Sequence, residues 1–441
     1  MTDKAAAPGD RPPYPAGEGQ TSPWAWIPTL YFAQGIPYVV VMTLSVVLYK
    51  NLGISNTDIA LYTSWLYLPW VIKPLWSPLA ELFGTKRQWV AVLQFFVGAA
   101  LAGVALTIPT DHVFQLSLAV FWLMAFASAS HDIAADGYYM LALPQHQQAA
   151  FVGVRSTFYR LANIGGQGGL VYLAGELTER TGSAAQAWSW VFWLLGGLFV
   201  ALAAWHALVL PRPAADVRGP GHRAARGLAR EFFAVFVSFF KKPGIAVILG
   251  FLLLYRFPEA QLLKLASPFL LDPVEQGGLG LSTKAVGIAY GTVGLTALTL
   301  GGLAGGWVIS RVGLKRALWP LVLAMHVPNV AFLVLALTHP TSLAVISAAL
   351  AVEQFGYGLG FTAYLMYMIH VAEGPQKTAH YAICTGFMAL GMMIPGMWSG
   401  WLQDHLGYVS FFVWVLVATV PSFAMAALIK VPENFGRKED A

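Results

Sequence analysis

The stretch Glu81-Leu82-Phe83-Gly84-Thr85-Lys86-Arg87 is echoed by Ser310-Arg311-Val312-Gly313-Leu314-Lys315-Arg316. The glycine, lysine and arginine recur at one offset: 313 − 84, 315 − 86 and 316 − 87 are each 229. A glycine permits a tight turn, and a basic pair anchors that turn at an anionic membrane surface. Each copy follows the second of a series of long apolar runs. Runs of helix length fall near 27–49, 56–80, 88–108, 114–143, 150–175 and 188–210. A second series falls near 244–271, 284–309, 317–337, 342–370, 380–402 and 410–430. Each is near the roughly 20 residues that a spanning helix requires.

Composition agrees. Of 441 residues, 57% are hydrophobic and only 11% charged, against about 25% charged in soluble domains. The mean hydropathy is +0.62. These values exclude a soluble enzyme, a nucleic-acid binder and a disordered chain. The single cysteine, Cys384, excludes an internal disulfide and a multi-cysteine metal site. No Gly-x4-Gly-Lys-Ser/Thr, His-Glu-x-x-His or Gly-x-Ser-x-Gly occurs, so ATP-driven transport, metal chemistry and hydrolysis are not expected. The expectation is a protein that is not an enzyme and needs no cofactor beyond a proton gradient.

Placing the N-terminus in the cytoplasm puts eighteen lysines and arginines in inner segments and only Lys50 and Arg180 in outer loops. The chain divides into a disordered cytoplasmic tail (1–23, with five prolines), a six-helix bundle (24–210) and a basic cytoplasmic linker (211–243). A second six-helix bundle (244–430) and a short tail (431–441) follow. The linker's apolar part, 231–240, suits a helix on the inner leaflet, and a plain connecting segment suits it equally. Two six-span halves in one orientation predict an all-α polytopic membrane protein of the major facilitator fold, with twelve transmembrane helices. Glu81, Gly84, Lys86 and Arg87, with Arg311, Gly313, Lys315 and Arg316, are the expected conformational gating loops.

Ionisable groups inside spans are costly and mark function or pairing. Depth counting at about 1.5 Å per residue allows Asp132 to pair with Arg160 and Asp136 with Arg155. Lys73 sits near the depth of the latter pair. Asp132 and Asp136 are i, i+4; Arg160, Asn163 and Gln167 form a polar stripe. In the seventh run Arg256 and Glu259 flank Pro258, where they serve a cavity or neutralise each other. Lys264 and Lys284 are expected to snorkel to the outer surface. Glu353-Gln354 falls at mid-depth. The functional reading is a polar site where carboxylates carry a proton and arginine holds an anion; the competing reading is structural ion bridges between helices. Glycine clusters at 165–169 and 356–360 read as helix-packing surfaces. His131 could titrate with Asp132, whereas His206, His326 and His370 read as packed or interfacial.

The chain resembles the AmpG-type muropeptide permeases and, more distantly, acetyl-CoA transporters of the same branch. Lys73-Pro74-Leu75-Trp76-Ser77-Pro78-Leu79-Ala80-Glu81 matches the family's second-span motif, with Glu for Asp. Ser128 to Tyr138 matches its fourth-span motif, with His131 for Gln and Tyr138 for Trp. Tyr159-Arg160-Leu161, Gly35-Ile36-Pro37, Arg256 with Glu259, and Glu353 before Gly356 and Gly360 extend the likeness. The resemblance implies a proton-coupled importer in the bacterial inner membrane working by alternating access; the charge asymmetry puts both termini in the cytoplasm, and a monomer is the default expectation. The implied solute is an anhydromuropeptide or a related sugar–peptide or glycan conjugate. A permease for free oligosaccharide, ferric siderophore or an acetyl-CoA-like anion is the alternative; a membrane sensor that does not transport is a further one. In this reading Arg160 and Lys73 hold the anion, and Asp132, Asp136, Glu259 or Glu353 carries the proton.

Overall fold

The computed structural model describes residues 21–76, 84–214, 216, 225–374 and 376–437. Nine helical stretches among them are long and apolar enough to cross a membrane. The last, Ala379–Leu428, contains two spans, because the backbone turns at Gly407 with φ 73°. Two further spans fall short for local reasons. Asn56–Trp65 and Leu68–Trp76 are separated by a break, and Gln145–Ile164 carries Arg155 and Arg160. Helix thus falls within each of the sequence's twelve runs where described, with breaks inside the second and seventh.

Proline and glycine decide where these helices deviate. Pro37 lacks an N–H for the ladder, and wider turns follow at Val40–Leu44. Similar wide turns occupy the glycine-rich Gly165–Leu170 and Gly287–Gly294. The seventh span breaks between Ile245–Leu254 and Phe257–Leu271, just ahead of Pro258.

Buried apolar side chains form a core within each half, and a further cluster joins Ala60 of the first half to Leu262, Phe269 and Tyr408 of the second. One gathers residues from Ala33 to Phe199; another gathers Phe239 to Ile429. The helix Ala225–Phe240 belongs to the second: Phe239 is buried and stacks on Phe387. Ser238 Oγ donates to Gln376 Oε1 at 2.5 Å. Val237 and Phe240 remain exposed. The linker therefore holds a helix with an exposed apolar side, docked on the start of the eleventh span.

The ends of the spans define two faces. The proximal face carries the first and last described residues and the turns at Gly84 and Gly313; the distal face carries the opposite turns. From the cavity wall out to the distal face the halves meet almost backbone to backbone. A Cβ on Gly291 would lie 2.1 Å from Gln167 O, one on Gly400 2.0 Å from Asn56 O, and one on Gly175 2.3 Å from Lys284 N. Only glycine permits such approach.

Candidate solute-binding site

The two halves enclose a cavity of about 400 Å³. The first half contributes Tyr38, Thr43, Tyr67, Trp70, Lys73, Asn163 and Gln167. The second contributes Arg256, Lys264, Ser267, Tyr290, Gln354, Tyr357 and Thr385, with Met388 and Met392. Three cations and an aromatic wall thus line the space, and no described Asp or Glu does.

Lys73 Nζ lies 3.3 Å from Asp132 Oδ2, which also accepts from Trp70 Nε1 at 3.2 Å. Asp136 pairs with Arg155 Nη2 at 2.8 Å and accepts from Tyr31 Oη at 3.3 Å. Arg155 lies over the rings of Tyr31 and Tyr139. The Asp136–Arg155 contact expected from depth is made; the Asp132–Arg160 contact is not. Five residues along a helix turn through about 140°, so Arg155 and Arg160 cannot both face the fourth span. Arg160 is exposed and points toward the second half, its Nη1 3.9 Å from where a Cβ on Gly302 would sit. Of the polar stripe, Asn163 and Gln167 reach the cavity. Lys73 joins Asp132 rather than the Asp136 pair.

Arg256 and Glu259 do not neutralise each other. Arg256 donates through Nη2 to Tyr357 Oη and lies over the Phe361 ring at 4.8 Å. Glu259 faces the ninth span, where His326 Nδ1 stands 2.7 Å and Asn329 Nδ2 3.3 Å from its Oε1. Glu259 Oε2, His326 Nε2 and Asn329 Oδ1 are buried without a described partner. His326 is therefore an ionisable partner deep in the second half. Glu353 is buried and accepts from its neighbour Gln354 Nε2 at 2.8 Å. His131 turns from Asp132 to Gln94, and a buried chain runs His131–Gln94–His206–Thr29 over contacts of 3.0, 2.7 and 2.9 Å. Asp132 instead keeps to Lys73 and Trp70.

Lys264 does not snorkel. It is 5% exposed, donates from Nζ to Thr63 Oγ1 at 2.9 Å and lies over the Tyr67 ring. Both partners belong to the opposite half. Lys284 stays at the distal rim, ion-paired with Glu176 and Glu179 at 2.5 and 3.3 Å.

Beyond the cavity the distal face is closed by cross-half polar contacts centred on Asp272. Its Oδ1 lies 2.5 Å from Lys50 Nζ. Its Oδ2 accepts from Tyr408 Oη at 2.6 Å and from Asn56 Nδ2 at 3.1 Å. Thr57 Oγ1 donates to Asp404 Oδ2 at 2.5 Å, and Thr283 Oγ1 donates to Asn51 Oδ1 at 3.0 Å.

At the proximal face the repeated turns share a left-handed glycine, Gly84 at φ 66° and Gly313 at φ 82°. Thr85 and Gln88 form a capping box at the third span. The backbone N–H groups of Lys86 and Arg87 donate to Asp216 at 2.7 and 3.0 Å. Arg87 Nε donates to Leu210 O at 2.9 Å. In the second half Lys315 Nζ donates to Glu433 Oε1 at 3.0 Å, and Leu314 N donates to Phe435 O at 2.8 Å. Hydrogen bonding and charge from Lys315 hold the exposed Glu433 carboxyl below its usual range. Arg311 lies over Trp307, and Arg316 is exposed. Glu81 lies outside the described residues.

A family model for the Major Facilitator Superfamily matches residues 29–383. The chain belongs to that superfamily. It is 25% identical over 419 residues to the anhydromuropeptide permease of Escherichia coli K12, covering 93% of this chain and 80% of that protein. It is 24% identical over 424 residues to putative transporter AmpG 4 of Rickettsia conorii, covering 92% and 96%. Solved structures of the nucleoside transporter NupG and of a D-xylose–proton symporter share the fold. Their TM-scores are 0.64 and 0.61 at 16% identity; the first alignment covers 92% of this chain and 98% of that one, the second 93% and 97%. As a major facilitator protein the chain is a multi-pass membrane transporter, and its central cavity between the halves is where a solute would sit.

Asp272, His326, Thr63 and Tyr357 are not singled out by the sequence as site residues, and Lys264 is expected from it to snorkel rather than to face the other half. Lys264 is visible as an in-span charge, but a lysine toward the outer end of a span reads as snorkelling. Asp272 sits where a span ends, a position that carries no burial signal.

Proposed function

We propose that this transporter imports an anionic amino-sugar conjugate of the anhydromuropeptide type across the bacterial inner membrane, driven by protons. Both termini then lie in the cytoplasm, the distal face is periplasmic, and the described state is closed to the periplasm. The observation that carries the reading is the cavity itself: three cations and an aromatic wall, drawn from both halves, with no described acidic side chain. Aromatic faces suit sugar rings, and cations suit carboxylates. The names of the AmpG-type relatives support the solute class.

Lys73 and Asp132 supply a route to coupling. An anionic group of the solute competes with Asp132 for Lys73. A carboxylate deprived of its counter-charge in apolar surroundings favours the protonated form. Solute and proton then enter together, and both are released when the cavity opens to the cytoplasm. One chain supplies both halves of the cavity, so transport needs no second copy.

The test is uptake of labelled anhydro-disaccharide peptide by cells lacking their own permease. Accumulation sensitive to a protonophore is expected. Asp132→Asn should abolish accumulation while leaving downhill exchange. An Asp132→Asn variant that still concentrates solute normally would refute this coupling route. No uptake by the wild type, with the protein present in the membrane, would overturn the solute class.

A further inference from the structure

Arg256 and Lys264 differ from the other in-span charges of the cavity. Lys73 has Asp132, but neither Arg256 nor Lys264 has a carboxylate among its described contacts. Arg256 touches Tyr357 and Phe361, Lys264 touches Thr63 and Tyr67. Both are more than nine-tenths buried, and Arg256 Nε has no described partner. Burial without an opposite charge is expensive for the charged form of a basic group, and an anionic ligand would supply that charge.

Their placement adds a dimension. Both line the cavity from the seventh span, eight residues apart. That is about 12 Å along the axis. Between them Ala260 and Leu263 face the same space, so this wall reads cation, apolar stretch, cation.

We propose that the cavity selects elongated solutes bearing an anionic group at each end, one bound by Arg256 and the other by Lys264. This rests on the anionic-solute reading above and narrows it: a single carboxylate satisfies only half of the wall. Because Lys264 is held on Thr63 of the opposite half, the anion at that end also bridges the halves. A solute too short to reach both cations leaves one of them uncompensated and binds as a monoanion does.

The experiment is calorimetric titration of the purified full chain in nanodiscs with linear α,ω-dicarboxylates from succinate to dodecanedioate. The monoamide of each is titrated in parallel. Affinity is expected to peak at one intermediate length, with the monoamide of that diacid about tenfold or more weaker. Arg256→Gln and Lys264→Gln should each remove the length optimum and the preference for diacid over monoamide. Arg256→Lys should retain both. Equal affinity at all lengths, equal binding of diacid and monoamide, absence of saturable binding by the wild type, or a uniform loss in both glutamine variants would overturn the proposal. The uptake assay separates the two readings. A length optimum without anhydromuropeptide uptake leaves two-point recognition standing with a different solute. Uptake without a length optimum removes two-point recognition alone.

Discussion

Replacing Asp272 with asparagine isolates the distal closure. The substitution keeps shape and leaves the amide able to bond Asn56 and Tyr408, but removes the ion pair with Lys50. That pair is short, 2.5 Å, with side chains only 5% and 15% exposed. At an effective dielectric near 20, two charges at this separation attract by about 6–7 kcal/mol. Desolvation offsets much of that, and a charge-assisted hydrogen bond contributes about 1.5–3 kcal/mol net. Lys50 and Asp272 lie in opposite halves, so opening the distal face must break the contact, and its whole worth bears on the equilibrium between the two states. Asp272→Asn should therefore shift that equilibrium toward the distally open state by about tenfold to 150-fold. The assay is pulsed electron–electron distance measurement between spin labels on Thr110→Cys and Glu275→Cys, in a Cys384→Ser background. Both sites are exposed, one in each half. A second, longer distance population should appear in Asp272→Asn and not in its parent. An unchanged distance distribution would show that the ion pair contributes nothing to closure, whatever happened to transport.

The glycine contacts bear on the same equilibrium through shape. Gly400→Ala puts a methyl group 2.0 Å from Asn56 O, so the same labels should report a longer distance; no change would show that the eleventh span can yield without parting the halves. His326→Ala removes the partner of buried Glu259 and should cost about 1–3 kcal/mol, read as a lower unfolding temperature in detergent. The double variant with Glu259→Gln should lose less than the sum of the two singles. Glu433 tests pH linkage. Because Lys315 depresses its folded value, the contact stabilises the folded chain at neutral pH and is lost as pH falls through that value. In Lys315→Gln, a carbon-13 titration of Glu433 should return toward the ordinary range.

Much of the fold is legible because lipid imposes a length and hydropathy requirement that linear sequence displays directly. The offset between Gly84 and Gly313 exposes the repeat, and both glycines take the left-handed conformation that a tight turn demands. The site is legible in composition but not in pairing. Counting residues gives depth, which places Asp136 beside Arg155. It does not give azimuth across helices, so depth alone pairs Arg160 with Asp132, when its position on the helix turns it to the other half. The same limitation hides the Glu259–His326 contact. Those residues are 67 apart in sequence, and only helix packing joins them. Lys264 departs from expectation for a different reason. Snorkelling is the default for a lysine in lipid, and the default fails where a second bundle supplies Thr63 and an aromatic face.

The two proximal turns are each clasped by the chain that follows the sixth span of their own half. Residues Leu210 and Asp216 hold the turn after Gly84, and Glu433 and Phe435 hold the turn after Gly313. Each half is therefore self-latched, and the latch lies downstream of its last membrane crossing. That decides where the polypeptide can be divided. A split at 220–224 leaves both latches on their own fragments, so separately expressed halves retain what orders their turns. A cut immediately after Val209, although it spares every membrane helix, strips the first fragment of its latch. Reassembly from complementary fragments should depend on that difference of about a dozen residues more than on the integrity of the connecting segment.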